Sequence, residues 1–209
     1  MRTLIHILLL GCILPLRTDW QLLAGVRLNT ESGQLKTAQY AQHVDDLKYQ
    51  RYRNVRFGYS FEYPKQWILN EALDGGGVSV APNQGANLPR IGVSGFPVQA
   101  SSTGKSRTLE EDFDSMMRAM QKKRPSHGIE SFALVKKESA HVQGLPANAY
   151  AMTYTRDGQS WVEEGLLVHD SHDAVAFNLG FDCRPDELAA FRTVFDKVIR
   201  TFRVASVPN

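Results

Sequence analysis

Phe57-Gly58-Tyr59-Ser60-Phe61-Glu62-Tyr63-Pro64-Lys65-Gln66-Trp67 is the stretch from which the fold is read. Aromatic rings stand at positions 57, 59, 61 and 63, and Gly, Ser and Glu fill the positions between them. Side chains alternate across a strand, so a period of two puts all four rings on one face. The pattern predicts a strand with one buried side. Pro64 has no N–H to donate to a ladder and ends it. Trp67 is placed to fold back onto the same core.

Working outward, the downstream chain reads as a succession of short strands. Asp74-Gly75-Gly76-Gly77 is a turn signal leading into a strand at 78–81, and another follows at 90–96. Four more are predicted at about 131–138, 147–154, 160–169 and 174–182. The turns Gly144-Leu145-Pro146, Arg156-Asp157-Gly158 and Asp170-Ser171 separate them as a meander. Val175, Phe177, Leu179 and Phe181 alternate with small or polar residues.

Two helices interrupt the strands. Thr108 and Glu111 have the spacing of a capping box. Leu109, Phe113, Met116, Met117 and Met120 then recur on one helical face. Such a methionine stripe reads as core, with a soft binding surface as the alternative. Lys122, Lys123 and Arg124 suit the negative end of the dipole, and Pro125 and Gly128 close the helix. The second helix is predicted from Pro185 to Arg203, with Leu188, Phe191, Phe195, Val198, Ile199 and Phe202 on its buried face. Helices set among hairpin-connected strands give an α+β class: a central antiparallel sheet flanked by helices.

Upstream of position 55 the text changes. Residues 1–11 combine Arg2 with an apolar run from Leu4 to Leu10. That run is too short to span a bilayer, which takes about 20 apolar residues. It fits a signal-peptide core, and no Ala-x-Ala-like site follows. Leu9-Leu10-Gly11-Cys12 instead resembles the lipobox of exported lipoproteins, in which the Cys thiol is acylated. Cys12 is therefore the expected lipid attachment, and residues 1–11 the signal peptide. The competing reading is a plain N-terminal anchor with an ordinary cysteine. Residues 12–54 read as a tether, with a short helix at about 38–52. Residues 55–203 form the domain and 204–209 a tail. The protein is expected to be exported and membrane-anchored, facing the periplasm or the extracellular side. Ile13 after the cysteine fits outer-membrane sorting, if Gram-negative rules apply.

The stretch 57–67 is similar to the opening of PsbP-like domains. So is Gly144-Leu145-Pro146-Ala147, and Ile199-Arg200-Thr201-Phe202-Arg203 resembles the family's closing helix. The family includes the extrinsic PsbP subunit of photosystem II and bacterial DcrB-type lipoproteins. The resemblance covers residues 55–203 and implies an α/β/α sandwich around an antiparallel sheet. Its members act mostly as accessory subunits, assembly factors or chaperones. None of the matched positions is a family catalytic residue.

Charge narrows the function classes. With 24 Lys and Arg against 22 Asp and Glu, the formal net charge is +2. A dedicated nucleic-acid binder carries a larger basic surplus. The chain has two cysteines, and with Cys12 acylated Cys183 has no partner for an internal disulfide.

No P-loop, dinucleotide fingerprint, Gly-x-Ser-x-Gly elbow or Cys-x-x-Cys pair is present. The best local candidate is His169-Asp170-Ser171-His172-Asp173. Imidazoles and carboxylates ligate zinc or manganese, and a hairpin turn can converge His169, Asp170 and His172. The opposing reading is a turn in which Asp and Ser bond the local backbone. No other cofactor is expected. Glu163 and Glu164 look like a carboxylate pair, but strand neighbours face opposite ways. Cys183 with a His and an Asp has no supporting spacing. Arg51, Arg53, Arg56, Lys136 and Lys137 could meet anionic lipid or an acidic partner, or be ordinary solvated charge. The sequence therefore points to a non-catalytic, lipid-anchored accessory or binding protein of a membrane or envelope complex. A chaperone-like module that shelters apolar client segments is the alternative. A metal-dependent or thiol enzyme ranks behind both.

Overall fold

The computed structural model describes residues 47–82, 89–98, 106–123 and 128–205. The leader, the lipobox with Cys12 and most of the expected tether lie outside them. In chain order the elements are β1 (Tyr49–Asn54), β2 (Tyr59–Pro64), β3 (Ile68–Glu71), β4 (Gly77–Ala81) and β5 (Arg90–Pro97). They continue with α1 (Leu109–Lys123), β6 (Ile129–Val142), β7 (Leu145–Arg156), β8 (Gln159–Asp170) and β9 (Val175–Cys183). A 3-10 turn at Pro185–Glu187 leads into α2 (Leu188–Thr201) and β10 (Arg203–Val204).

Seven strands form one antiparallel sheet in the order β3-β4-β5-β9-β8-β7-β6. The expected meander is its β6–β9 half. Two of its hairpins turn on paired left-handed residues, Gln143-Gly144 (φ 55° and 81°) and Asp157-Gly158 (φ 51° and 71°). Both central residues of a type I′ turn need this, and such turns match strand twist.

One face of the sheet is covered by α2 and by a small second sheet, β1-β2-β10. The rings of β2 point inward as the alternation predicts, with Tyr59 and Phe61 fully buried. Tyr59 meets Phe177 edge-on at 5.9 Å and stacks on Phe202 at 6.0 Å. Trp67 folds back onto Phe191 at 5.4 Å. A buried side chain of this size contributes about 1.5–3 kcal/mol, so this cluster ties the two sheets together. Phe191, Val194, Phe195 and Val198 of α2 complete the layer.

The other face carries α1. Its capping box forms as read: Thr108 N–H donates to Glu111 Oε2 at 2.8 Å, and Glu111 N–H to Thr108 Oγ1 at 3.2 Å. Phe113 is buried against Tyr150, and Leu109, Met116, Met117 and Met120 pack around it as core. Lys137 of β6 lies over the Phe113 ring and bonds Glu110, which also accepts from Asn148 Nδ2 at 2.9 Å. The sheet thus lies between helical layers, the α/β/α arrangement.

Three boundaries differ from the sequence reading. Residues 49–52, assigned to a tether helix, are strand: β1 pairs with β2 from Tyr49↔Pro64 to Asn54↔Tyr59. Tyr52 packs at 5.5 Å from Phe61, so the aromatic stripe of β2 supplies the cross-strand partner that overrides local helical spacing. The domain therefore begins before Val55. The last helix, read as 185–203, is a 3-10 turn followed by α2 from Leu188 to Thr201; Arg203, assigned to that helix, and Val204, assigned to the tail, pair with Ser60 and Tyr59 as β10, because Phe202 leaves the helix to bury fully and draws the chain along β2. Strand β3 had no signal; it is four residues long and held by pairing to β4.

Candidate functional site

Register decides where the sheet is bare. On the α2 side β4, β5 and β9 present Val78 and Val80, Ile91 and Val93, and Leu179 and Phe181, all core. On the α1 side the same strands present Gly77 and Ser79, Arg90, Gly92 and Ser94, and Asn178, Gly180 and Asp182. Helix α1 packs on β7 and β8. Over the small residues beside it lies a cavity of about 530 Å³. Its floor includes Gly92 and Gly180, and Met120, Ile129, Phe132 and Tyr154 line its side. A Cβ built on Gly92 meets nothing within 4 Å, so that part of the floor is open space.

A linked set of ionisable groups edges this cavity. Asp182 Oδ1 accepts from Arg90 Nε at 3.0 Å. Its Oδ2 accepts from Tyr154 Oη at 3.2 Å and lies 3.8 Å from Arg156 Nη1. Both arginines are therefore committed to one carboxylate. Arg156 also lies 3.8 Å over the Trp161 ring. Its Nε and Nη2 are sealed from solvent with no acceptor among the described residues, and the indole face supplies the compensating attraction.

Glu163 enters the same cavity from β8. Its Oε1 lies 3.2 Å from Tyr150 Oη, which is also 3.0 Å from Asn178 Oδ1. Burial, and after it the negative charge of Asp182, push the Glu163 carboxyl up to about 8; the Tyr150 bond and Arg90 oppose them. A phenol has one proton to donate, and it cannot serve two acceptors at once. The Tyr150 hydroxyl is therefore shared between Glu163 Oε1 and Asn178 Oδ1 as acceptors. Gly165 makes this possible, because a Cβ there would lie 2.5 Å from Tyr150 Cζ and Oη.

No protein-family model and no curated protein sequence matches this chain. Solved structures do. Cyanobacterial PsbP (CyanoP) from Synechocystis sp. PCC 6803 has a TM-score of 0.57 at 16% identity, across 76% of this chain and 94% of that one. The chain has a PsbP-like fold. The Saccharomyces cerevisiae Ran-binding protein Mog1p also matches, with a TM-score of 0.54 at 9% identity, across 76% of this chain and 96% of that one.

Within this PsbP-like domain the residues singled out from sequence are dispersed. His169 is buried, its Nε2 3.4 Å from Asp112 Oδ2 on α1. Burial holds the Asp112 carboxyl above its ordinary range, against the pull of His169 and Arg107. Asp170 Oδ1 accepts from the backbone N–H groups of His172 at 3.0 Å and Asp173 at 3.3 Å, the local bonding of a turn aspartate. The His172 side chain is 84% exposed and bonds Asp173 through Nδ1 at 2.8 Å. His169, Asp170 and His172 thus point three ways. Among the described residues no group of three or more His, Cys, Asp or Glu is placed to hold a metal ion.

Cys183 is a free thiol buried on the α2 face. Burial, and then the carboxylates of Glu187 and Asp182, push its pKa up, away from a nucleophilic thiolate. Glu164 faces α2 and pairs with Arg192. Four large apolar side chains are exposed among the described residues: Val55, Leu73, Leu134 and Val135. They fall on two hairpin turns and on β6. The Glu163 site was missed because its members, Arg90, Tyr150, Glu163, Asn178 and Asp182, come from four strands. The available signal was the small floor: Gly-Val-Ser-Val, Ile-Gly-Val-Ser and Leu-Gly-Phe each put a glycine or serine between core residues.

Proposed function

We propose that this chain is a non-catalytic, lipid-anchored accessory or binding protein. Its PsbP-like domain hangs from acylated Cys12 and offers the α1 face to a membrane or envelope component. The observation that carries the binding reading is the cavity over Gly92 and Gly180. It combines apolar walls with a few convergent polar groups, the common composition of a ligand site. Its Asp182, Arg90 and Tyr154 bond one another, and the buried Cys183 belongs to the other face. That arrangement supports recognition rather than nucleophilic chemistry. The Ran-binding protein Mog1p supports the idea that this fold can present a binding surface, while fold alone does not fix function. The lipobox-like Leu9-Leu10-Gly11-Cys12 supports the anchor. No helix among the described residues is long and apolar enough to cross a membrane.

The test has two parts. Intact mass of the membrane-extracted protein should match residues 12–209 plus acyl chains, and Cys12→Ala should lose the acyl mass. A photo-crosslinker at Phe132, on the cavity wall, should capture a component that Gly92→Leu abolishes. An unmodified chain from Met1 removes the anchor. Capture unaffected by Gly92→Leu removes the cavity as the binding site.

A further inference from the structure

Among the described residues, the cavity lining carries two acids that no basic side chain holds, Glu163 and Glu71. Arg90 and Arg156 are the cations on its lining, and both lie against Asp182. Glu163 has no ion pair within 4 Å among the described residues; its bonded neighbour is the Tyr150 phenol. Glu71 adds a second carboxylate to the lining. Among the described residues, the charged groups facing this space are therefore Arg90 and Arg156 against Asp182, Glu163 and Glu71. The cavity is one positive charge short when all are ionised.

We propose that the cavity takes a small organic cation, a primary amine on a short apolar body, with its ammonium group against the Glu163 carboxyl. This rests on the reading of the cavity as the binding site. The floor at Gly92 and Gly180 leaves room for the body, and Met120, Ile129 and Phe132 offer it apolar contact. A hard metal ion fits less well. It needs several oxygen ligands at about 2.0–2.6 Å, and Asp182 is already committed to three side chains. An anion would meet the unpaired Glu163 and Glu71 carboxyls, while Arg90 and Arg156 already lie against Asp182. An ammonium against Glu163 favours the ionised carboxylate, and the proton that burial had kept on it goes to solvent, so binding and proton release are coupled.

Isothermal titration of the full chain with 2-phenylethylamine, and with 2-phenylethanol as its neutral isostere, tests this at pH 7. Two buffers of different ionisation enthalpy report the protons. The amine should bind at least tenfold more tightly than the alcohol and release close to one proton. Glu163→Gln, with an unchanged far-ultraviolet spectrum, should cost the amine at least tenfold and abolish the release, while the alcohol binds as before. Gly92→Leu should abolish binding of both. Equal binding of the two probes without proton release overturns the cation and leaves the cavity as a binding site. No binding of either probe by the folded protein overturns both.

Discussion

Glu163 and Glu164 are adjacent in sequence and serve opposite faces of one sheet. Glu164 lies under α2, where it accepts from Arg192 Nε at 3.0 Å. Glu163 lies in the cavity on the α1 side, where burial and Asp182 push it up to about 8. One carboxylate is paired with an arginine, and the other has no basic partner within 4 Å among the described residues. The strand's period of two separates them.

The Glu164–Arg192 pair anchors α2. The Glu164 side chain is 7% exposed, and a buried charge without its partner is costly. Arg192→Ala should destabilise the domain by about 2–4 kcal/mol, toward the low end because the arginine keeps some contact with water. Replacing both residues by Leu should recover most of that loss. Urea unfolding of the parent and the two variants checks it; an Arg192→Ala midpoint equal to the parent's removes the anchoring role.

Glu163 carries a pH signature of definite sign. Its folded pKa, about 8, lies above the unfolded value of roughly 4.3. Below about pH 4 the acid is neutral in both states and costs nothing. Between that value and 8 the unfolded chain ionises first, so stability falls as pH rises. Glu163→Gln removes this dependence. The variant should match the parent near pH 4 and exceed it at pH 8 by on the order of 1–3 kcal/mol. Thermal melts across that range read the difference, and parallel pH profiles would show that the carboxyl is not held protonated.

Two glycines on the same face should respond in opposite ways. At Gly165 a Cβ would sit 2.5 Å from Tyr150 and 2.8 Å from the Leu179 carbonyl oxygen, so Gly165→Ala should cost about 1–3 kcal/mol by overpacking. At Gly92 nothing lies within 4 Å, and Gly92→Ala should stay within about 0.5 kcal/mol of the parent. Denaturant midpoints of the pair check the floor of the cavity.

Thr108 caps α1 through the bonds with Glu111. Thr108→Ala should cost about 1 kcal/mol, and Thr108→Ser much less. A capping role fails if the two variants melt together.

Cys183 is fully buried, and its thiol is pushed up by burial. A maleimide reagent should leave it unlabelled in the native protein at pH 7.5 and label it once urea passes the unfolding midpoint. Rapid native labelling would restore the reactive thiol.

Much of the fold was legible from local periods. The alternation at Tyr59, Phe61 and Tyr63 marks a buried strand face, and Thr108 with Glu111 marks the start of α1. Phe191, Phe195 and Val198 mark the buried stripe of α2. The strand Tyr49–Asn54 was not legible, because Tyr-Gln-Arg-Tyr-Arg-Asn has no period that separates strand from helix. What decides it is the row of rings on β2, a partner reached through a turn.

The candidate site was less legible for a related reason. His169-Asp170-Ser171-His172-Asp173 gathers metal-ligating side chains within five positions, yet the turn sends them in different directions. Arg90 and Asp182 are 92 positions apart and form a hydrogen bond of 3.0 Å. Proximity in sequence and proximity in space differ most for groups on neighbouring strands.

The sequence alone therefore determined which side of β2 and β9 is apolar, where α1 begins, which face of α2 is buried, and the α+β class. Those follow from steric periods of two and 3.6 residues, which act within a segment. Only the tertiary structure decided that β5 lies between β4 and β9, and that α1 packs on β7 and β8 beside Gly92 and Gly180. Strand order is chosen by long-range pairing and core closure. No local period encodes it, and the cavity around Glu163 exists because of that choice.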